Sequence, residues 1–221
     1  MTLIAAQQPY YLPDFHYFSK IYQSDVFLLA DHLRFRKQSP MVRAVLNKED
    51  SGNYLTIPVV HQPEAQPPLH EIQMLDSNDW HRRHLKTIAS QFHQFPYFDF
   101  FFPELEAIYK EKDLSLSSFL IKIIRWHTNL FFREKRIIVA SEIGIHDMYG
   151  LKKWFAQFPE RQWLIFAKER EYYRKNFPAV SLRNLDKNAR KKFPPEYHPN
   201  LPFLVLIFLK GPESILYFKS S

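Results

Sequence analysis

The 221-residue chain contains no cysteine and only 4 glycines. Without cysteine there is neither a disulfide framework nor a thiolate metal centre, which fits a reducing compartment. Four glycines leave no room for a glycine-rich phosphate loop: G-x-x-x-x-G-K-[ST] and G-x-G-x-x-G are both missing, as are the G-x-S-x-G elbow and H-E-x-x-H. The longest apolar run, residues 201–209, contains Pro202 and falls well short of the roughly 20 residues that span a bilayer. The first residues lack the basic flank and long apolar core of a secretory signal. Together these absences predict a cytoplasmic chain with no transmembrane segment.

Aromatic residues and proline are plentiful, with 21 Phe, 12 Tyr and 16 Pro, so a large aromatic core and stiff loops are expected. The length suits one large domain or two small ones. A net charge of +7 admits an anionic partner, but basic residues that solvate helix faces are the favoured explanation. The densest basic cluster, Arg183 to Lys192, sits in no recognised nucleic-acid motif, so nucleic acid is not the expected partner.

Residues 5–31 organise the rest. A short apolar strand at 3–6 leads into Gln7-Gln8-Pro9-Tyr10-Tyr11-Leu12-Pro13, where each proline fixes its own φ and biases its predecessor towards extended backbone. Asp14 is placed to cap a helix whose apolar stripe is Phe15, Phe18, Ile21 and Tyr22. The continuous apolar run 26–30 follows, as expected of a strand buried on both faces. This predicts a βαβ unit.

Further strands are expected at 43–47, 54–60, 70–75, 136–141, 162–167 and 179–183. A turn at 48–53 and a proline-stiffened loop at 61–69 separate the early ones. Helices are expected from Trp80 with an N-cap among residues 76–79, over 97–110 punctuated by Pro103, and over 114–132 with Lys122, Arg125 and His127 towards polar positions. Another helix is expected at 149–158. Residues 203–209 read as strand by composition, but Pro202 before and Gly211 after favour a buried helix. The fold class is therefore α/β, a mixed and mainly parallel sheet with an N-terminal βαβ unit and a central helical block. The chain divides into residues 1–75, 76–135 and 136–221 of one domain.

Carboxyl ends of strands in open α/β sheets are where ligands bind. That rule assembles a candidate pocket from Gln7, Gln8, Tyr10, Tyr11, Asp31, Arg43 and His84, with Ser141 and Glu142 at the end of another strand. Asp31 is the general-base candidate and Arg43 the oxyanion or phosphate clamp; Gln and Tyr supply neutral hydrogen bonds. His81 and His84 stand at i, i+3, but no third ligand is spaced to complete a metal set.

The same residues resemble the WbqC-like family of bacterial proteins, which opens close to His-Gln-Pro-x-Tyr-Leu-Pro-Trp-x-Gly-Tyr-Phe-x-Lys-Ile and continues Ala-Asp-x-Phe-x-x-x-Asp. The chain is similar at Gln8, Pro9, Tyr11, Leu12, Pro13, Tyr17, Phe18, Lys20, Ile21, Asp25, Phe27 and Asp31. Arg43, Trp80 with His84 and Leu85, Ser141-Glu142 and Pro199-Asn200-Leu201 continue the likeness in order. The resemblance implies a role in O-antigen or surface-polysaccharide biosynthesis. It suggests a transferase acting on a nucleotide sugar or activated amino-sugar, with amino-acyl or glycine transfer as one form, and the small-molecule substrate as the partner. It implies no particular cofactor. The residue types and their places, rather than the resemblance, put Asp31 and His84 as catalytic and Gln8, Tyr11, Arg43, Ser141 and Glu142 as substrate-binding residues. The chain departs from the pattern at Gln7, Asp14, His16, Val42, Val205 and Leu209. Those departures keep open a non-catalytic, divergent binding or assembly protein of the same pathway.

Overall fold

A computed structural model describes residues 1–47, 54–60, 67–76, 79–111, 115–185 and 192–219. Strand β1 (Thr2–Gln7) leads to helix α1 (Phe15–Gln23) and strand β2 (Val26–Leu29). Two antiparallel ribbons follow: β3 (Arg43–Ala44) with β4 (Leu55–Thr56), and β5 (Val59–Val60) with β6 (Gln73–Met74). Then come helices α2 (Trp80–Phe92), α3 (Phe98–Lys110) and α4 (Leu116–Phe131). The last third alternates β7 (Arg136–Val139), α5 (Met148–Ala156), β8 (Arg161–Ile165), α6 (Arg170–Asn176) and β9 (Ser181–Asn184), and ends in α7 (Phe203–Lys210).

Five strands form one parallel sheet in the order β7-β2-β1-β8-β9. The expected α/β class with a βαβ start is therefore the fold. Its register pairs Gln7 with Leu29 and Leu29 with Val139, so three strands end level along one edge. The chain builds outwards from β1 through β2 to β7, then crosses back to add β8 and β9 on the other flank of β1. The direction of winding reverses between β1 and β8, which opens a crevice at the carboxyl ends of those strands.

Alternation along the central strands explains why the sheet is covered on both sides. Leu3, Ala5, Phe27 and Leu29 join the larger core, with Phe15, Phe18 and Ile21 of α1, the apolar faces of α2, α3 and α4, and α7. Ile4, Ala6, Val26 and Leu28 join the second core, with Leu151, Trp154 and Phe155 of α5, Tyr173 of α6 and Phe177 just beyond it. Phe155 stacks on Trp163 of β8 with ring centroids 4.1 Å apart.

Asp14 caps α1 as expected, its Oδ1 accepting from the Tyr17 amide at 2.9 Å. The segment 203–209 is the helix that its flanking residues favoured. Every residue from Phe203 to Phe208 is buried, and a helix satisfies its own backbone there without a sheet partner. Its ends are tied by the Phe203 amide donating to Pro13 O and the Tyr97 amide donating to Phe208 O, each at 2.9 Å.

Other expectations are corrected. Residues 54–60 are two strands rather than one, because Pro58 between them lacks a ladder donor. Pro103 lies within α3, as the 97–110 reading allowed; it and Asp99, whose carbonyl loses its intrahelical donor, are both exposed and reach water. Asp79 stands at the N-cap of α2 in left-handed backbone, with no side-chain cap bond. His127 is wholly buried, not polar-facing, stacked on Phe18 with its Nδ1 on Ile123 O at 2.8 Å. The turn at 48–53, most of the loop at 61–69, the caps Ser77 and Asn78, Leu114 and the basic residues Lys187, Arg190 and Lys191 lie outside the described residues. Among the described residues, no helix is long and apolar enough to cross a membrane.

Candidate functional site

The reversal point of the sheet holds a cavity of about 660 Å³. Gln7 at the end of β1 and Gln8 just after it enter the cavity, Ala30 and His32 enter from just beyond β2, and Glu169 and Tyr172 from the turn and helix after β8. Arg34 and Arg36 line its outer rim, and both are exposed. The loop after β1 is held open by its prolines and by Leu12, which sits at φ 44 although it is buried. A branched side chain in left-handed backbone costs free energy, and here the packed core imposes it.

Gln7 is locked in place. Its Oε1 accepts from Lys20 Nζ at 3.1 Å, and its Nε2 donates to the Tyr10 hydroxyl at 2.7 Å. Lys20 is wholly buried and donates also to Ala6 O at 3.0 Å and to Glu169 Oε2 at 2.8 Å. Burial lowers the Lys20 pKa from its usual 10.5, and the Glu169 carboxylate opposes that shift. The pair ties α1 to the turn after β8, across the crevice floor. On the far side of Gln7 a smaller cavity of about 280 Å³ is lined by Tyr10, Asp14, His16, Phe166 and Lys168. Burial raises the Asp14 carboxyl above its usual range, against the Tyr17 amide, His16 and Lys168.

Asp31 points away from the crevice. Its Oδ1 accepts from the Ser141 amide at 2.9 Å, and Oδ2 accepts from Ser141 Oγ at 2.5 Å and Ser117 Oγ at 3.3 Å. Its own carbonyl takes the His70 amide at 3.1 Å. A carboxylate 1% exposed with three donors fastens the ends of β2 and β7 to α4. The structure thus brings Asp31 and Ser141 together as a strut.

Tyr11 and His84 also meet, but in a different place. The Tyr11 hydroxyl lies 2.8 Å from His84 Nδ1 and 2.5 Å from the Tyr109 hydroxyl, all three residues buried. Burial, with Arg83 and His81 nearby, lowers the His84 pKa to about 4, against a hydrogen bond to the Thr56 backbone. A ring that donates to Thr56 accepts at Nδ1, so Tyr11 donates to His84 and Tyr109 donates to Tyr11. Burial pushes both phenols above their usual range. The relay joins the β1 loop to α2 and α3 and does not line the crevice.

The remaining sequence-derived residues scatter. Gln8 lines the crevice and reaches Arg34 O at 3.4 Å. Arg43 on β3 lies over the Tyr54 ring at 5.5 Å, with its Nε buried and unpartnered among the described residues. Glu142 is exposed and pairs with Arg125 at 3.3 Å. Among the described residues, no three His, Asp or Glu side chains converge to hold a metal ion. A cavity of about 890 Å³ between α2 and α3 is lined by charges that largely pair with one another, Arg82 with Asp79 and Lys110 with Glu106.

Sequence reasoning passed over His32. It is 7% exposed, lines the crevice, and neither ring nitrogen has a partner among the described residues. One available signal was its place immediately beyond the second strand. The weight fell on its neighbour Asp31, which faces the other way.

The comparisons reach the family and no further. No curated protein matches the chain, and no solved structure does. The WbqC-like protein family matches residues 8–217, from the crevice loop to the turn after α7. The chain belongs to the WbqC-like protein family.

Proposed function

We propose that this WbqC-like protein is a transferase that holds a nucleotide sugar or an activated amino-sugar in the crevice between β1 and β8. The observation that carries this reading is the cavity of about 660 Å³ at the sheet reversal, large enough for such a ligand and lined by amide, imidazole, phenol and guanidinium groups. Arg34 and Arg36 suit the diphosphate, and Gln8 and Tyr172 suit sugar hydroxyls or a base edge. In this reading Asp31, Ser141, Tyr11 and His84 act as positioning residues. Arg43 and Glu142 stand outside the crevice lining. The surface-polysaccharide setting rests on what the family resemblance implies.

Thermal unfolding with a panel of nucleotide sugars tests the reading. At least one ligand is expected to raise Tm, with the rise lost in an Arg34→Ala, Arg36→Ala double variant. A panel that leaves Tm unchanged overturns it. A second reading, a non-catalytic binding protein of the same pathway, is favoured by the tied carboxylate of Asp31 and the buried relay of His84. It predicts the same rise in Tm with no turnover of the bound sugar in the presence of alcohol or amine acceptors.

A further inference from the structure

A buried polar group without a partner costs free energy, and where one persists beside a cavity a ligand contact is one way to offset that cost. His32 is such a group. It lies just past the end of β2, is more than nine-tenths buried, and lines the cavity shared with Gln8, Arg34 and Arg36, its two ring nitrogens buried and unpaired among the described residues. Neutral imidazole offers one donor and one acceptor, whereas imidazolium offers two donors. The flanking guanidinium groups of Arg34 and Arg36 recommend the second form for an anion, because the imidazolium then adds a further donor beside them.

We infer that His32 is an anion-contact residue that gives a ring N–H to a phosphate oxygen of a phosphorylated ligand in the crevice, taking up a proton as that ligand binds. This inference rests on the crevice being the ligand site. The surrounding charges suit a switch of that kind. Burial lowers the His32 pKa, so the empty crevice holds the neutral ring at neutral pH. Asp31 and Asp147 act to raise it, and His70 and His146 act to lower it. Glu169 faces the same cavity but is engaged by Lys20. A phosphate placed against the ring adds negative charge next to the imidazole and shifts the balance towards imidazolium.

Inorganic pyrophosphate is the probe, added to the full chain at about pH 7. The ring-nitrogen signals of the histidines are followed by NMR in the unsubstituted protein, and affinity is measured by calorimetry. At saturation both His32 nitrogens are expected to move to imidazolium values. His32→Gln is expected to weaken pyrophosphate binding by about tenfold or more, while His93→Gln, at the exposed end of α2 and outside the cavity lining, leaves it unchanged. Saturation that leaves the His32 signals unmoved overturns the inference, as does absence of binding at millimolar pyrophosphate. The NMR arm decides the matter even where His32→Gln does not fold. Pyrophosphate binding through His32 without binding of any nucleotide sugar would support this inference and overturn the transferase reading. Nucleotide-sugar binding that leaves His32 neutral would do the reverse.

Discussion

The Tyr11 hydroxyl donates to His84 Nδ1 at 2.8 Å across 73 positions of sequence, and Tyr109 closes on the same oxygen from α3. Three polar side chains are buried together, so each depends on the other two. Tyr11→Phe removes one oxygen and leaves a phenol and an imidazole unsatisfied. A loss of about 2–3 kcal/mol in urea unfolding is expected. A cycle combining Tyr11→Phe with His84→Leu should show strong coupling; additive losses would show that the relay is only apparent.

The Lys20–Glu169 pair predicts an asymmetry. Lys20 is wholly buried, whereas the Glu169 side chain is 19% exposed. Glu169→Ala strands a buried cation and is expected to cost about 3–5 kcal/mol. Adding Lys20→Met to that variant should recover part of the loss, since the uncompensated charge is then gone. Urea midpoints of the two variants check the order.

His127 and His84 both sit well below their usual pKa of 6.5, at about 4, chiefly because burial penalises the charged ring. The unfolded chain therefore binds protons that the folded chain refuses. Stability from each ring is fully present above about pH 6.5 and drains away as pH falls towards 4, by about 3 kcal/mol apiece. His127→Leu should flatten the decline in Tm between those limits by one proton's worth. An unchanged slope would mean that His127 is protonated in the fold.

Gly211 ends α7 at φ 52, and a Cβ built there would lie 2.5–2.6 Å from ring atoms of Tyr97. Gly211→Ala meets both the left-handed penalty and the ring, and a loss of about 2 kcal/mol or more is expected. Combining it with Tyr97→Ala should return the steric share and leave the backbone share, as read from Tm.

Much of the fold was legible because it depends on local pattern. The both-faces-buried run at 26–30 marked a parallel strand, Asp14 marked a helix start, and Pro202 with Gly211 bracketed α7 against the β-rich composition between them. Misreadings arose where a tertiary partner decided. His127 follows a polar-looking stretch, but the packing of α4 against α1 and α7 encloses it between Phe18 and Phe203. The ribbon at 54–60 changes partner at Pro58, from β3 to β6, which only a paired sheet reveals.

The candidate site shows the same division. Sequence by itself determined that polar groups would gather at the carboxyl ends of β1 and β2, since apolar runs set the strands and prolines set the loop between them. Only the tertiary structure decided which of Asp31 and His32 would face the crevice. Both residues lie in the turn after β2, and the packing around that turn sent the carboxylate to Ser141 and Ser117 and the imidazole to the cavity. The return of β8 beside β1, more than 150 positions later in the chain, then made that cavity a crevice with two walls.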